Sequence, residues 1–144
     1  MALYAISDLH LALSTDKPMD IFGGHWVNHD EKIKKNWENK ITEEDTVLIA
    51  GDISWSMKHE DSKMDLDWVN SLPGKKIISK GNHDYWWNSI SKLNAMYDNT
   101  KFLQNNFYTY NDYAICGTRG WLDPSSDKRS EERRVGKECI ALCC

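Results

Sequence analysis

Three short apolar runs divide the first 80 residues, and each is followed at once by polar residues. The runs are LYAIS (residues 3–7), TVLIA (46–50) and KKIIS (75–79), which are rich in aliphatic and β-branched side chains. Runs of this length and composition are typical of buried strands. We therefore expect three short buried strands, each ending in a cluster of polar side chains.

An amphipathic segment separates the second run from the third. Met64, Trp68 and Leu72 recur every four residues there, and Pro73-Gly74 then ends the pattern. This spacing places the three side chains on one helical face. The segment therefore predicts the helix of a βαβ unit, followed by a turn.

A second helix is predicted before the middle strand. Ile33, Trp37 and Ile41 have the same four-residue spacing, and Asn28 or Asp30 precedes them as a candidate helix cap. Helices would then precede and follow the middle strand.

The pattern changes twice after the third run. A four-residue stripe predicts one more helix, which presents Trp86, Ile90, Leu93 and Tyr97 on one side. Beyond residue 100, KFLQ, NFYTY and DYAICGT predict short strands joined by Asn-rich turns, that is, a β-meander. Together these elements indicate a layered α/β fold, whose site lies beyond the carboxyl ends of the parallel strands.

Composition excludes several classes of protein. The 144 residues are 40% hydrophobic, enough for one globular domain. Lys plus Arg number 18 and Asp plus Glu 22, a net charge of −4, so we expect no non-specific nucleic-acid binding. No segment approaches the ~18 apolar residues of a membrane span, and the amino terminus has no signal-peptide pattern. We expect a soluble cytoplasmic protein without a membrane partner, and leave its oligomeric state open.

The polar residues that follow the three runs are the candidate functional groups. Asp8 and His10 follow the first run, Asp52 the second, and Asn82 and His83 the third. Because parallel strands end at one edge of a sheet, we expect these side chains to converge. Carboxylates, an imidazole and an amide oxygen form a mixed ligand set suited to divalent Mn, Fe, Zn or Mg.

The same residues form three motifs, D-x-H at 8–10, G-D at 51–52 and G-N-H-D at 81–84. Their order and spacing resemble those of the calcineurin-like metallophosphoesterases, over residues 1 to about 123 and most closely as in uncharacterised bacterial predicted phosphohydrolases. The resemblance implies a hydrolase of phosphate mono- or diesters with a dinuclear metal site and a metal-activated water. Manganese is favoured over iron, zinc and magnesium. The glycines at 51 and 81 are expected to let the backbone pass close to the bound group.

The resemblance also implies a role for each residue. Asp8 and His10 would bind the first cation, Asp52 would bridge both cations, and Asn82 would bind the second. His83 would bind no metal and would be the catalytic residue, donating a proton to the leaving oxygen or stabilising charge on the phosphoryl group.

One position departs from the pattern of many relatives. The family's protein phosphatases read G-D-x-x-D, with the second Asp orienting the catalytic His, whereas GDISW places Trp55 there. Asp84 is adjacent in sequence to His83, so their side chains are expected to point apart. The residue that orients His83 is left open.

Further residues are candidates for contact with a phosphate-ester substrate. Arg119 carries a guanidinium that matches phosphate geometry, although a surface ion pair explains it equally well. His25 and His29 form H-x-x-x-H, which suits a substrate contact by His25, a metal pair or a solvated loop. Five tryptophans fall near strand ends or motif loops, where they line a substrate pocket or pack in the core: Trp26, Trp55, Trp86, Trp87 and Trp121.

The composition changes after residue 128. RSEERRVGKEC, residues 129–139, holds three Arg and three Glu and resembles the translation of a sequencing-adapter oligonucleotide. We therefore expect residues 1–128 to be the amino-terminal part of a phosphoesterase domain and residues 129–144 to be a non-native tail.

The positions of the histidines along the chain also indicate that the domain is incomplete. His83 is the last of five, whereas the family carries later histidine ligands, including a late G-H-x-H. The 144-residue chain is therefore expected to bind metal poorly and to be inactive. The alternative to an enzyme is a non-catalytic phosphoesterase-like scaffold that binds proteins, and the presence of every early ligand favours the enzyme.

Overall fold

A computed structural model describes the backbone of residues 1–119 and 138–143 and the side chains of residues 1–117. Two 3-10 turns, Met19–Phe22 and Gly24–Trp26, lie in the first long loop. No helix in this described part has the length and apolar character needed to cross a membrane. The strands and α-helices, in chain order, are β1 Leu3–Ile6, α1 His29–Lys40, β2 Thr46–Ile49, α2 His59–Ser71, β3 Lys75–Ser79, α3 Ile90–Asn94, β4 Thr100–Leu103, β5 Asn106–Tyr110, β6 Tyr113–Arg119 and β7 Glu138–Cys143.

The strands form two sheets. β1, β2, β3 and β4 are parallel and lie side by side in chain order, whereas β5, β6 and β7 are antiparallel. The predicted α/β fold class is confirmed. KFLQ was wrongly assigned to the meander, because β4 pairs in parallel with β3. Its Phe102 and Leu103 are both buried, one in each of the two hydrophobic clusters, which suits a strand of the parallel sheet.

Different layers cover the two faces of the parallel sheet. Val47 and Ile49 of β2 pack in the same cluster as residues of α1 and α2, whereas Leu48 packs in a second cluster with Ile115 of β6. Successive side chains of a strand point to opposite faces, so β2 contributes to both clusters. Full burial of each such side chain contributes ~1.5–3 kcal/mol. The antiparallel sheet thus covers the face opposite the helices.

β1 is not the buried strand that its apolar sequence predicts. Tyr4 and Ala5 are exposed, and Leu3 and Ile6 are half-buried. β1 is an edge strand in the described sheet and pairs only with β2. Periodicity cannot distinguish an edge strand from a central one, which explains the error.

The first long helix matches its prediction. Trp37 and Ile41 are buried, and Ile33 packs against them. Asn28 is at the cap position in a left-handed conformation, with a φ of 51°, and its side chain makes no capping hydrogen bond. Of the two candidate caps, Asn28 therefore holds the N-cap position, whereas Asp30 lies inside the helix.

α2 buries most of the predicted face but not Met64: Leu72 is buried and Trp68 packs against the same core cluster. Met64 is 55% exposed, whereas Leu66 and Val69 are buried together with Asp65. Asp65 is turned inward because its carboxylate accepts the Leu13 N–H at 2.9 Å and the Ser54 hydroxyl. A buried polar side chain of this kind is not revealed by the apolar stripe that periodicity predicts.

The third helix is much shorter than its apolar stripe predicts. α3 spans only Ile90–Asn94, and Trp86 and Tyr97 lie outside it. Trp86 is nevertheless buried, and its indole N–H donates to Asp84 at 3.0 Å. That hydrogen bond holds the segment before α3 in a loop.

Candidate metal centre

The loops that follow β1 and β2 continue side by side beyond the ends of the strands. The Asp8 N–H donates to the Gly51 carbonyl at 3.1 Å, and the His10 N–H donates to the Asp52 carbonyl at 2.9 Å. One ligand atom from each of Asp8, His10 and Asp52 lies within 4.8 Å of the other two. The three side chains therefore meet at the carboxyl edge of the parallel sheet.

These three residues have left-handed backbone conformations. Their φ angles are 58° for Asp8, 45° for His10 and 52° for Asp52, and they are half of the six non-glycine residues with positive φ in the described part. Leu9, between Asp8 and His10, points into the core. Such conformations cost ~1–3 kcal/mol each and persist only where neighbouring contacts hold them. The inter-loop hydrogen bonds supply such contacts.

The donor set fits a divalent cation. Two carboxylates and one imidazole give the mixed oxygen and nitrogen ligands that suit Mn, Fe or Zn. Burial lowers the pKa of His10, although the Asp52 and Asp8 carboxylates act to raise it. The neutral imidazole, which is the form that binds metal, is therefore favoured near neutral pH. The Asp8 side chain is 57% exposed, so a cation can reach the site from solvent.

His83 is held by Asp52. Its backbone N–H donates to one carboxylate oxygen of Asp52 at 2.9 Å, and its Nδ1 lies 2.9 Å from the other oxygen. The Asn82 amide nitrogen lies 3.4 Å from His83 Nε2. The residue that orients His83, which the sequence left open, is thus Asp52 in this structure.

Asp84 has a different set of partners. It is fully buried, and its carboxylate accepts the backbone N–H groups of Gly81 and Asp52 at 2.8 Å and of Ile53 at 2.9 Å. The Ser54 N–H at 3.4 Å and the Trp86 indole complete five donors, and the His83 ring is not among them. Burial raises the pKa of Asp84 and the Asp52 charge adds to the rise, whereas the backbone N–H donors oppose it. Sequence reasoning missed this role, because three of the five donors lie about 30 positions away.

Gly51 and Gly81 allow the loops after β2 and β3 to approach each other closely. A Cβ on Gly81 would lie 2.1 Å from Asp52 Oδ1, and a Cβ on Gly51 would lie 2.4 Å from the Gly81 nitrogen. The close backbone approach that these glycines permit is, in this structure, a contact between two loops.

Trp55 forms an aromatic wall at the fifth position of GDISW, where the motif G-D-x-x-D has a carboxylate. Its ring stacks on His10, with centroids 5.0 Å apart and planes 20° apart, and lies 5.0 Å from the His83 ring. The Trp55 indole N–H donates to Met19 Sδ at 3.1 Å. Lys17 Nζ lies 5.5 Å from the Trp55 ring centroid, which brings an unpredicted cation near the site.

The other predicted tryptophans divide between the site and the core. Trp26 lies 6.3 Å from the His10 ring. Trp86 is buried, and the half-buried Trp87 donates to Gln104 at 2.7 Å, so packing explains both. Trp121 lies outside the described residues.

The candidate substrate residues are only partly placed. His25 is exposed and, with Asp8, lines a groove of about 580 Å³ between β1 and α1. His29 Nε2 lies 2.9 Å from the Leu9 carbonyl, and neither histidine belongs to the group that converges with Asp52. Arg119 ends β6, and its side chain lies outside the described residues.

The sequence is similar to a known family and to two curated phage proteins. The family model for the calcineurin-like phosphoesterases matches residues 1–133. The chain is 33% identical over 78 residues to the Gene 66 protein of Mycobacterium phage L5 and 29% identical over 114 residues to that of Mycobacterium phage D29. These alignments cover 54% and 78% of the chain, but only 37% and 52% of the phage proteins. The chain thus spans about half or less of their length.

A solved structure has a similar fold. It is the crystal structure of a protein of unknown function from Aquifex aeolicus, with a TM-score of 0.50 and 21% sequence identity. The match covers 92% of this chain and 69% of that one. At this identity the similarity concerns the fold alone.

Proposed function

Because the chain belongs to the calcineurin-like phosphoesterase family, we propose that it carries part of the active site of a metal-dependent hydrolase of phosphate mono- or diesters. The family indicates metal-dependent phosphoester hydrolysis. The observation that carries the proposal for this chain is the convergence of Asp8, His10 and Asp52 at the carboxyl edge of the sheet.

We assign the ligands to two cations. Asp8 and His10 hold the first, Asn82 holds the second, and Asp52 is shared. Asp52 suits the shared position because it lies between the two groups. Its backbone carbonyl accepts the His10 N–H, and its carboxylate accepts the His83 N–H. Bound divalent cations, Mn²⁺ in our proposal, would polarise the phosphoryl oxygens and lower the pKa of a bound water.

His83 is assigned to proton transfer. The Asp52 carboxylate accepts a hydrogen bond from Nδ1, so the ring is held with Nε2 on its other side. When protonated, Nε2 would donate to the leaving oxygen of the ester or stabilise charge on the phosphoryl group. The side chain is 37% exposed, so a substrate can approach it.

Two residues outside the metal-binding group are proposed to contact the substrate. His25 is proposed to contact the substrate because it lines the groove beside Asp8. Arg119 is proposed from its chemistry alone, since a guanidinium pairs well with a phosphate. Whether the ester is a mono- or a diester is for the assay below to decide.

The rival proposal is a phosphoesterase-like scaffold that binds proteins without catalysis. A scaffold has no need of ligand side chains, yet Asp8, His10 and Asp52 are all present and converge. The enzyme is therefore the proposal that the geometry favours.

The test requires the native protein, because we propose that its reading frame continues beyond residue 128. RSEERRVGKEC supports this by its abrupt composition, and His83 is the last histidine of the chain. The protein from the uninterrupted gene would be assayed on p-nitrophenyl phosphate and on bis(p-nitrophenyl) phosphate with Mn²⁺. Turnover should stop with EDTA and return with added Mn²⁺. Chelator-resistant turnover would contradict the metal mechanism, and bound Mn²⁺ without turnover would favour the scaffold.

The 144-residue chain gives a second measurement. Asp8, His10 and Asp52 offer three ligands to the first cation, whereas Asp52 and Asn82 offer two to the second. We expect at most one weakly bound Mn²⁺ per chain by equilibrium dialysis, and no turnover. Two tightly bound ions would contradict this assignment.

A further inference from the structure

The loops after β2 and β3 approach each other closely at the metal centre. The Gly81 backbone is so near Asp52 that a Cβ would lie 2.1 Å from the Asp52 carboxylate. Asp84 lies between the two loops and is fully buried. The carboxylate of Asp84, from the loop after β3, therefore accepts hydrogen bonds from both loops.

Three of the hydrogen-bond donors to Asp84 are consecutive backbone N–H groups. Its carboxylate accepts three successive N–H groups of the β2 loop, those of Asp52, Ile53 and Ser54, together with the Gly81 N–H of its own loop. Three successive N–H groups converge on one acceptor here while Asp52 has a φ of 52°. Without a buried acceptor these N–H groups would be left unsatisfied, which destabilises a buried loop.

We propose that Asp84 is a positioning residue of the metal centre, which fixes the Asp52 carboxylate relative to Asn82 and His83. The proposal rests on the proposed function, since that function makes Asp52 and Asn82 metal ligands. Asp84 itself touches no ligand atom in its described contacts. It acts through the backbone of Asp52 and the backbone of Gly81, which precedes Asn82.

Asp65 is a matched control. It is also a fully buried aspartate, and it also binds the β2 loop, through the Ser54 hydroxyl. Its other partner is the Leu13 N–H, so it connects α2 to the β1 loop and makes no described hydrogen bond with the β3 loop. A general effect of losing a buried carboxylate should therefore appear in both aspartates, and a positioning effect only in Asp84.

The experiment compares Asp84→Asn and Asp65→Asn in the 144-residue chain. Each variant keeps the shape of the side chain but replaces one acceptor oxygen with an NH₂ group that cannot accept a backbone N–H. Amide hydrogen exchange is measured by NMR at residues 52, 53 and 81, with strand residues 49 and 78 as an internal reference. The Mn²⁺ dissociation constant is measured by EPR on the same two variants of the native protein.

Asp84→Asn should speed exchange at residues 52, 53 and 81 relative to the reference amides. It should also raise the Mn²⁺ dissociation constant ~10–100-fold, the usual effect of removing a group that supports metal ligands. Asp65→Asn should lower the melting temperature but leave the Mn²⁺ dissociation constant within about threefold of wild type. In its described contacts Asp65 makes no hydrogen bond to a proposed metal ligand or to the β3 loop.

Several outcomes would overturn the inference. An unchanged Mn²⁺ affinity in Asp84→Asn would do so, as would an equal loss in both variants, which would indicate general destabilisation. If the wild-type native protein binds no Mn²⁺, the proposed metal centre fails, and unchanged amide exchange in Asp84→Asn would separately refute the link between the loops. If Asp84→Asn does not fold, Asp84→Glu retains the acceptors but displaces them by one methylene, and an unchanged Mn²⁺ affinity in that variant would refute the proposal.

Discussion

The parallel sheet buries charged groups at both ends of its strands, but the two ends satisfy those charges in different ways. At the amino end, the Asp45 carboxylate accepts the Ala2 N–H at 2.6 Å and the Thr42 N–H at 2.8 Å. Backbone hydrogen bonds, those of Thr42 foremost, lower the pKa of Asp45. Nearby, the Lys76 ammonium donates to three backbone carbonyls around the end of α2, those of Asn70, Leu72 and Gly74.

At the carboxyl end the ionisable groups face one another instead. The ligand atoms of Asp8, His10 and Asp52 converge, and His83 contacts Asp52. Asp8 and His83 are also open to solvent, whereas Lys76 is 1% exposed. Burial of charge alone therefore does not mark a site. A site is indicated where side-chain charges are paired with each other and remain accessible, and backbone partners indicate a structural role.

The most severe way to test this contrast is to neutralise the group that the carboxyl-end residues share. Asp52→Asn in the native protein should lower kcat/KM by more than the ~10²–10⁴-fold contributed by a proton donor, because both cations lose their common anionic ligand. Steady-state kinetics with Mn²⁺ and metal analysis of the purified variant would measure it. Full metal content with near-wild-type turnover would refute the shared role of Asp52.

His83→Ala should have the next largest effect. It should lower kcat ~10²–10⁴-fold while Mn²⁺ stays bound, because the ring is proposed to transfer a proton and not to hold metal. The same kinetics and metal analysis separate the two roles. If His83→Ala loses more activity than Asp52→Asn while both retain their metal, the assignment of roles is reversed.

Lys76→Met tests the amino end. The variant removes three hydrogen bonds to buried carbonyls and should lower the free energy of unfolding by ~1–3 kcal/mol, measured by urea denaturation. Mn²⁺ affinity should not change. Lys17→Met is the matched control, since Lys17 is exposed and lies over Trp55. It should lower the free energy of unfolding by under ~1 kcal/mol. Equal effects of the two variants would contradict the distinction between the two ends.

The pH dependence of unfolding should show the smallest effect when it is expressed per pH unit. Burial lowers the pKa of Lys76 to about 8, although Glu43 acts to raise it. Between pH 8 and 10.5 the unfolded state then binds more protons than the folded state, so the stability of the wild type rises relative to Lys76→Met. The slope should not exceed ~1.4 kcal/mol per pH unit. If the stability of the wild type relative to Lys76→Met stays constant or falls between pH 8 and 10.5, the pKa of Lys76 is not lowered.

Local pattern predicted much of this fold because its strands and first helix carry strong signals. The runs before Asp8, Asp52 and Asn82 each form a strand, and Trp37 and Ile41 are buried as their spacing predicts. Errors occurred where a side-chain hydrogen bond, which no apolar spacing reveals, fixes a residue's environment. α2 turned Asp65 inward to bind the Leu13 N–H, and α3 was shortened where Trp86 binds Asp84.

The sequence by itself determined which side chains reach the carboxyl edge, because chain order and the βαβ spacing bring successive strand ends together whatever the loops do. Only the tertiary structure decided how they are held there. Left-handed Asp52, the glycine contact between loops and the buried Asp84 carboxylate all depend on hydrogen bonds between segments about 30 residues apart. Such bonds leave no periodic signal in the sequence, because a side chain that accepts backbone N–H groups imposes no residue type on its partners.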